Sequence, residues 1–217
     1  GWKGIEKVFV TSGGVAKLHD DFEYLPSMLP ENKIETGIAT IGNTIGCFFE
    51  PAVKKNIAAQ LCAVKLAGCS ALMHSAIPEY ARHLVRTFGI DIQLCDTSYF
   101  KREETKHFRN LSSVEVNLQV TPSEESSYTA AESILCGVPC IIGSSSVLAG
   151  ISKEFDDLCV INRVDDSLEI SNKIDNLRKD PEAYKKSIEL GTRCIQEINE
   201  TNAEYLNDCI EIMLAPN

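Results

Sequence analysis

The chain has 217 residues, 44% of them hydrophobic and 24% charged, the balance of a chain that buries a core in water. Its formal charge of −10 argues against nucleic acid as a partner, because neutralising phosphates takes clustered Lys and Arg, but it leaves room for a small anion in a local basic pocket. No apolar run reaches the roughly 18 residues that a membrane helix needs.

The first residues, Gly1-Trp2-Lys3-Gly4, lack a Met and lead straight into a strand-like segment, so the expectation is an artificial boundary with no signal peptide. The nine Cys are an odd number without zinc-ribbon pairing. Most sit inside apolar runs such as Leu61-Cys62-Ala63, which reads as buried free thiols in a reducing compartment and hence a cytoplasmic location.

Lys7 to Ser12 is strand-like and Gly13-Gly14 ends it. His19 to Leu29 reads as a short helix and a turn, closed by Pro26 and Pro30, and Lys33 to Gly46 as a linker with one strand. Ile45 to Glu50 is a short apolar strand stopped by Pro51. Ile57, Leu61, Val64 and Ala67 form one helical face, with Gly68 behind them. Ser70 to His74 is the next apolar run, Pro78 to Phe88 a helix stopped by Gly89, and Ile90 to Leu94 an alternating strand. Thr97 or Ser98 is placed to cap a helix reaching about Leu111.

Val114, Val116, Leu118 and Val120 alternate with polar residues as a strand, Tyr128 to Cys136 is a helix stopped by Gly137 and Pro139, and Cys140-Ile141-Ile142 is a buried strand. Phe155 to Ile161 reads as one further strand, and 167–177, 181–191 and 192–214 as C-terminal helices. Strands alternating with helices call for a doubly wound, mostly parallel sheet, a Rossmann-like α/β fold with helices on both faces. Residues 1–37 are expected to be the remnant of a preceding domain and a linker, and 38–217 one Rossmann-like domain with C-terminal helices.

Two carboxylates, Glu124 and Glu132, follow the Val114–Val120 strand, at the sheet edge where ligands bind in open α/β folds. Thr121-Pro122-Ser123-Glu124 also matches a capping box, which would make Glu124 a helix cap and Glu132 a solvated acid. Against that, Glu132 lies four residues after Tyr128 and three before Leu135, among apolar side chains, and a buried carboxylate demands a partner. The N–H groups at the start of this helix favour an anion. Of the four His, His74 reads as a satisfied core residue, while His83 and His107, flanked by charges, read as surface residues. No His pair has metal-ligand spacing, and Ser144-Ser145-Ser146 is either an anion cradle or a plain loop.

The run Thr121-Pro122-Ser123-Glu124, seven residues, Glu132-Ser133, then Cys136-Gly137-Val138-Pro139-Cys140-Ile141 resembles the donor-site signature of retaining GT-B glycosyltransferases of the sucrose-synthase-like, glycosyl transferases group 1 family. The resemblance extends more loosely over residues 40–190 and includes Lys54-Lys55-Asn56, Ser75 to Glu79 and Asp180-Pro181-Glu182. It implies the donor-binding half of such an enzyme, transferring a sugar from a nucleoside diphosphate sugar to a hydroxyl with retention and without a metal cofactor. Glu124 and Lys55 would then be catalytic, near the donor sugar and the diphosphate respectively, with Lys54 an alternative for the second. Glu132 would accept from the ribose hydroxyls, and the backbone at Ser126, Ser127 and Tyr128 would lie beside phosphate or sugar. The acceptor would be a glycan or another hydroxyl compound, bound through a missing N-terminal domain or a partner chain.

The departures are specific. The family's Gly-Phe-Gly after the first Glu is Glu125-Ser126-Ser127 here, and its Arg before the Lys is replaced in a stretch holding Phe48, Phe49 and Glu50. Two other readings therefore stand beside the transferase: a non-catalytic nucleotide-sugar-binding scaffold subunit, and a nucleotide-sugar epimerase of the same fold.

Overall fold

The structure, a computed structural model, describes residues 8–10, 22–24, 27–48, 55–74, 77–95, 103–123 and 127–214. The chain divides into two compact units, one of residues 1–29 with 196–217 and one of residues 30–195. In the smaller unit β1 (Val8–Val10) and β2 (Phe22–Tyr24) pair in parallel. The strand at β2 replaces the short helix expected over His19 to Leu29. In the same unit Asn199 both accepts from the Leu29 N–H, at 2.7 Å, and donates to the Leu29 carbonyl, at 2.9 Å.

The larger unit is built on one six-stranded parallel sheet. Its strands are β3 (Thr44–Cys47), β4 (Ser70–Met73), β5 (Ile92–Leu94), β6 (Val116–Gln119), β7 (Cys140–Gly143) and β8 (Val160–Ile161). The spatial order is β5-β4-β3-β6-β7-β8, so the direction of winding reverses between β3 and β6. That is the doubly wound order with its topological switch point at the neighbouring ends of those two strands. Every residue of β3, β4, β6 and β7 is buried, as a sheet covered by helices on both faces requires.

The helices are α1 (Ile57–Leu66), α2 (Glu79–Phe88), α3 (Glu104–Ser112), α4 (Tyr128–Leu135), α5 (Lys153–Cys159), α6 (Ser167–Lys179) and α7 (Pro181–Leu214). α1 packs on α2 and α6, and α3 on α4. Gly68, Gly89 and Gly137 sit just past α1, α2 and α4 with φ of 67°, 57° and 80°, the left-handed stops expected of them. α6 starts where the Asp166 carboxylate accepts from the N–H groups of Leu168 and Glu169. At the amino end of the sheet Arg178 of α6 binds Glu115 at 2.5 Å and the Asn43 side-chain oxygen at 2.8 Å, tying that helix to the starts of β6 and β3.

Two further elements, α5 and α7, differ from expectation. The Ser152 hydroxyl accepts from the Phe155 N–H and starts a helix at Lys153, so only Val160–Ile161 is left as strand. Phe155 and Cys159, four residues apart, form its buried face. The described part of α3 begins at Glu104, and Thr97 and Ser98 lie outside the described residues. Gly191 does not end a helix, because α7 runs unbroken through it. A Cβ there would come within 2.8 Å of Ile134 Cδ1 and 3.1 Å of the Phe155 ring, so this glycine serves close packing of α7 on α4 and α5.

Gly46 in β3 is more constrained. A Cβ there would lie 1.9 Å from Asn117 Oδ1 and 2.7 Å from the Phe48 ring, both held in the core. Gly46→Ala is expected to cost at least ~1–3 kcal/mol by overpacking. Gly191→Ala meets only side-chain ends and gains helix propensity of ~1 kcal/mol, so it should cost less. Urea unfolding of both variants checks the ranking.

Candidate functional site

The carboxyl ends of β3 and β6 are held together by two polar side chains from the start of α1. Gln60, fully buried, donates from Nε2 to the Lys55 carbonyl at 2.7 Å and accepts the Val120 N–H on Oε1 at 3.1 Å. Asn56 adopts a left-handed φ of 53°, which Asn tolerates better than most residues. Its side-chain amide donates to the Val120 carbonyl at 3.2 Å and also to the Val164 carbonyl beyond β8. Gln119 of β6 completes the bridge by donating to the Phe48 carbonyl at 3.1 Å. Lys55 is thereby carried to the switch point beside the loop that opens at Thr121.

That loop is fastened to its neighbour. The Thr121 carbonyl accepts from the Ser145 hydroxyl at 3.0 Å, and the Thr121 hydroxyl turns to the Ser123 carbonyl at 3.3 Å. α4 begins only at Tyr128, so Thr121 does not cap it and the capping-box reading fails. The residue at the cap is Ser127, buried, with φ of 50° and no side-chain bond to the helix. Its hydroxyl lies 2.7 Å from that of Ser146. The Ser144 and Ser146 N–H groups bond the Ile161 and Gly143 carbonyls and so are already engaged within the protein.

Glu132 lies within α4 and is buried. Its Oε2 stands 2.9 Å from Nε2 of His107 in α3, and the two side chains are only 10% and 7% exposed. An ionised carboxylate can only accept, so Nε2 carries the hydrogen in that state. The expectation that Glu132 is buried against a partner is met. The expectation that His107 is a surface residue is not: His107 and Leu111, one turn apart, face inward together, whereas Lys106 and Arg109 flank them in sequence only. Helical spacing to Leu111 was the available signal. Cys136 lies close enough to register the Glu132 charge: burial, then that carboxylate, push its thiol up to about 12.

The remaining predicted site residues divide cleanly. Tyr128 is the first residue of α4 and is 38% exposed. Glu124, Ser126, Glu125 and Lys54 lie outside the described residues. His74, buried at the end of β4, has its ring 5.4 Å from that of Phe48 and its Nδ1 3.7 Å from Cys95 Sγ, a core position; His83 is exposed. Gln60, Asn117 and Gln119 were not singled out from the sequence, although polar residues inside the apolar run Val116 to Val120 already marked the last two. None of the nine Cys is in a disulfide. Among the described residues no group of His, Cys, Asp or Glu side chains is placed to hold a metal ion, and no helix is long and apolar enough to cross a membrane.

No protein-family model matches the chain, and no curated protein matches it. Solved structures do. Sucrose-phosphate synthase from Thermosynechococcus elongatus aligns with a TM-score of 0.64 at 14% identity, over 96% of this chain and 59% of that one. A trehalose-6-phosphate synthase aligns with a TM-score of 0.61 at 10% identity, over 91% of this chain and 53% of that one. The C-terminal domain of a glycosyl transferase group 1 family protein from Francisella tularensis gives 0.53 at 15% identity, over 71% and 84%. The chain has the Rossmann-like α/β fold found in these glycosyltransferases. It spans little more than half the length of the two synthases.

The Ser127 backbone has the conformation that glycine favours, and its hydroxyl bond to Ser146 offsets the strain. Relief of left-handed strain and loss of one hydrogen bond are each worth ~1 kcal/mol. Ser127→Gly should therefore leave stability nearly unchanged, whereas Ser127→Ala, which keeps the strain and loses the bond, should destabilise by ~1 kcal/mol or more. Thermal and denaturant unfolding of the pair separates these outcomes.

Proposed function

We propose that this chain is the donor-binding half of a retaining GT-B glycosyltransferase, cytoplasmic, that moves a hexose from a nucleoside diphosphate sugar to a hydroxyl. The observation that carries the reading is Glu132, a buried carboxylate on the helix that follows β6, the strand on one side of the switch point. A carboxylate pair of acceptor oxygens suits the two hydroxyls of a ribose better than neutral acceptors do. The first turn of α4 has no side-chain cap and no acid of its own, which suits an anion beside it. Lys55, brought to the same edge by Gln60, would meet the diphosphate and stabilise negative charge as it departs. Glu124 would lie by the sugar hydroxyls, and the Ser126 to Tyr128 backbone by phosphate or sugar.

In the reaction the bond from the anomeric carbon to the diphosphate oxygen breaks, and the electron pair leaves with the diphosphate. The acceptor hydroxyl attacks from the same face and passes its proton to the departing phosphate oxygen. The acceptor side of the cleft belongs to the rest of the enzyme or to a partner, and no metal takes part in this proposal.

Calorimetry with UDP and GDP tests the donor site. At least one is expected to bind at millimolar concentration or below, unaffected by EDTA. Glu132→Ala should weaken that binding about tenfold, the worth of one charge-assisted hydrogen bond, while the variant stays folded. A folded sample that binds neither nucleotide would overturn the proposal.

A further inference from the structure

We infer that His107 is a positioning residue: through its bond to Glu132 it holds that carboxylate ready for the ribose hydroxyls of a nucleoside diphosphate. The inference rests on the donor-site reading above and assigns a role to a residue of another helix.

The geometry is a built one. Nε2 of His107 and Oε2 of Glu132 are 2.9 Å apart, and both side chains are nearly sealed from water. α3 runs into β6 and α4 runs out of it, so the bond joins the helices on either side of one strand. A fixed backbone surrounds it. Asn117 of β6 donates to the Leu111 carbonyl in α3, at 2.9 Å, and to the Ser133 hydroxyl in α4, at 2.8 Å. Ser133 in turn donates to the Val138 carbonyl at 2.9 Å. Neither helix can slide past the other without breaking this chain of bonds.

A glutamate has enough side-chain freedom that ordering it on binding costs up to ~2 kcal/mol in entropy. His107 removes that freedom beforehand, and preorganisation of this kind is recovered as affinity. The ring itself is confined by Phe108, whose centroid lies 5.6 Å away. Cys136, close enough to feel the Glu132 charge, keeps its proton at neutral pH.

The role has a signature that simple packing lacks, because it depends on the sugar hydroxyls. The experiment measures dissociation constants of the 217-residue chain for UDP and GDP and for their 2′,3′-dideoxy counterparts. The wild-type chain should prefer the ribonucleotide about tenfold. His107→Ala should reduce that preference to within about twofold with the dideoxynucleotide affinity unchanged. His107→Gln, whose amide can replace the Nε2–H donor, should keep most of it.

If the alanine variant does not fold, His107→Phe keeps a ring against Phe108, removes the donor and is expected to behave as alanine would. A folded His107→Ala or His107→Phe chain that retains the full preference overturns the inference and leaves the donor site standing. A wild-type chain that binds ribo- and dideoxynucleotide equally also overturns it, because Glu132 then does not read the ribose. A wild-type chain that binds no nucleotide overturns the donor reading and this inference with it.

Discussion

Gln60 is the contact on which the arrangement of the carboxyl edge depends. One buried amide bonds the loop after β3 through the Lys55 carbonyl and the end of β6 through the Val120 N–H. Those two strand ends flank the reversal of winding, where a parallel sheet leaves a crevice that no crossover helix fills. Backbone groups at such a crevice lose their ladder partners. Gln60, Asn56 and Gln119 supply partners from side chains, so the peptide groups they reach are not left unpaired. The same bonds bring the Lys55 backbone to the end of β6, next to Thr121.

The second constraint is electrostatic. A carboxylate as buried as Glu132 is unfavourable without compensation, and His107 supplies it across the α3–α4 contact. Buried polar pairs of this kind are weak devices for stability, since two apolar residues of like size would serve as well or better. The apolar cluster of Phe48, Leu72, Leu111, Val114 and Val138, with Phe108 and Cys136 packed on it, supports both helices at this point.

Much of the fold was legible because it follows periodicity and punctuation. The apolar runs of β3, β4 and β7 and the glycines after α1, α2 and α4 needed no tertiary information. What was missed depends on partners distant in sequence. Phe155 to Ile161 is apolar enough for a strand, and a single Ser152 cap decides for a helix. Gly191 reads as a stop until Ile134 and Phe155 are seen against it. At the site, Glu132 was legible from its apolar neighbours, but His107 was not, because Lys106 and Arg109 beside it disguise an inward-facing position. Ser127 also escaped notice as a conformational residue: only the backbone shows that it occupies a left-handed position.

The most direct measurement is a crystal structure of the chain grown with a nucleoside diphosphate sugar. The expected result is the diphosphate at the carboxyl ends of β3 and β6, near Lys55 and the first turn of α4, with the ribose hydroxyls on Glu132 and the Glu132–His107 bond intact. A nucleotide bound elsewhere on the sheet, or a ribose turned away from Glu132 in an otherwise unchanged site, would contradict the assignment of this edge as a donor site.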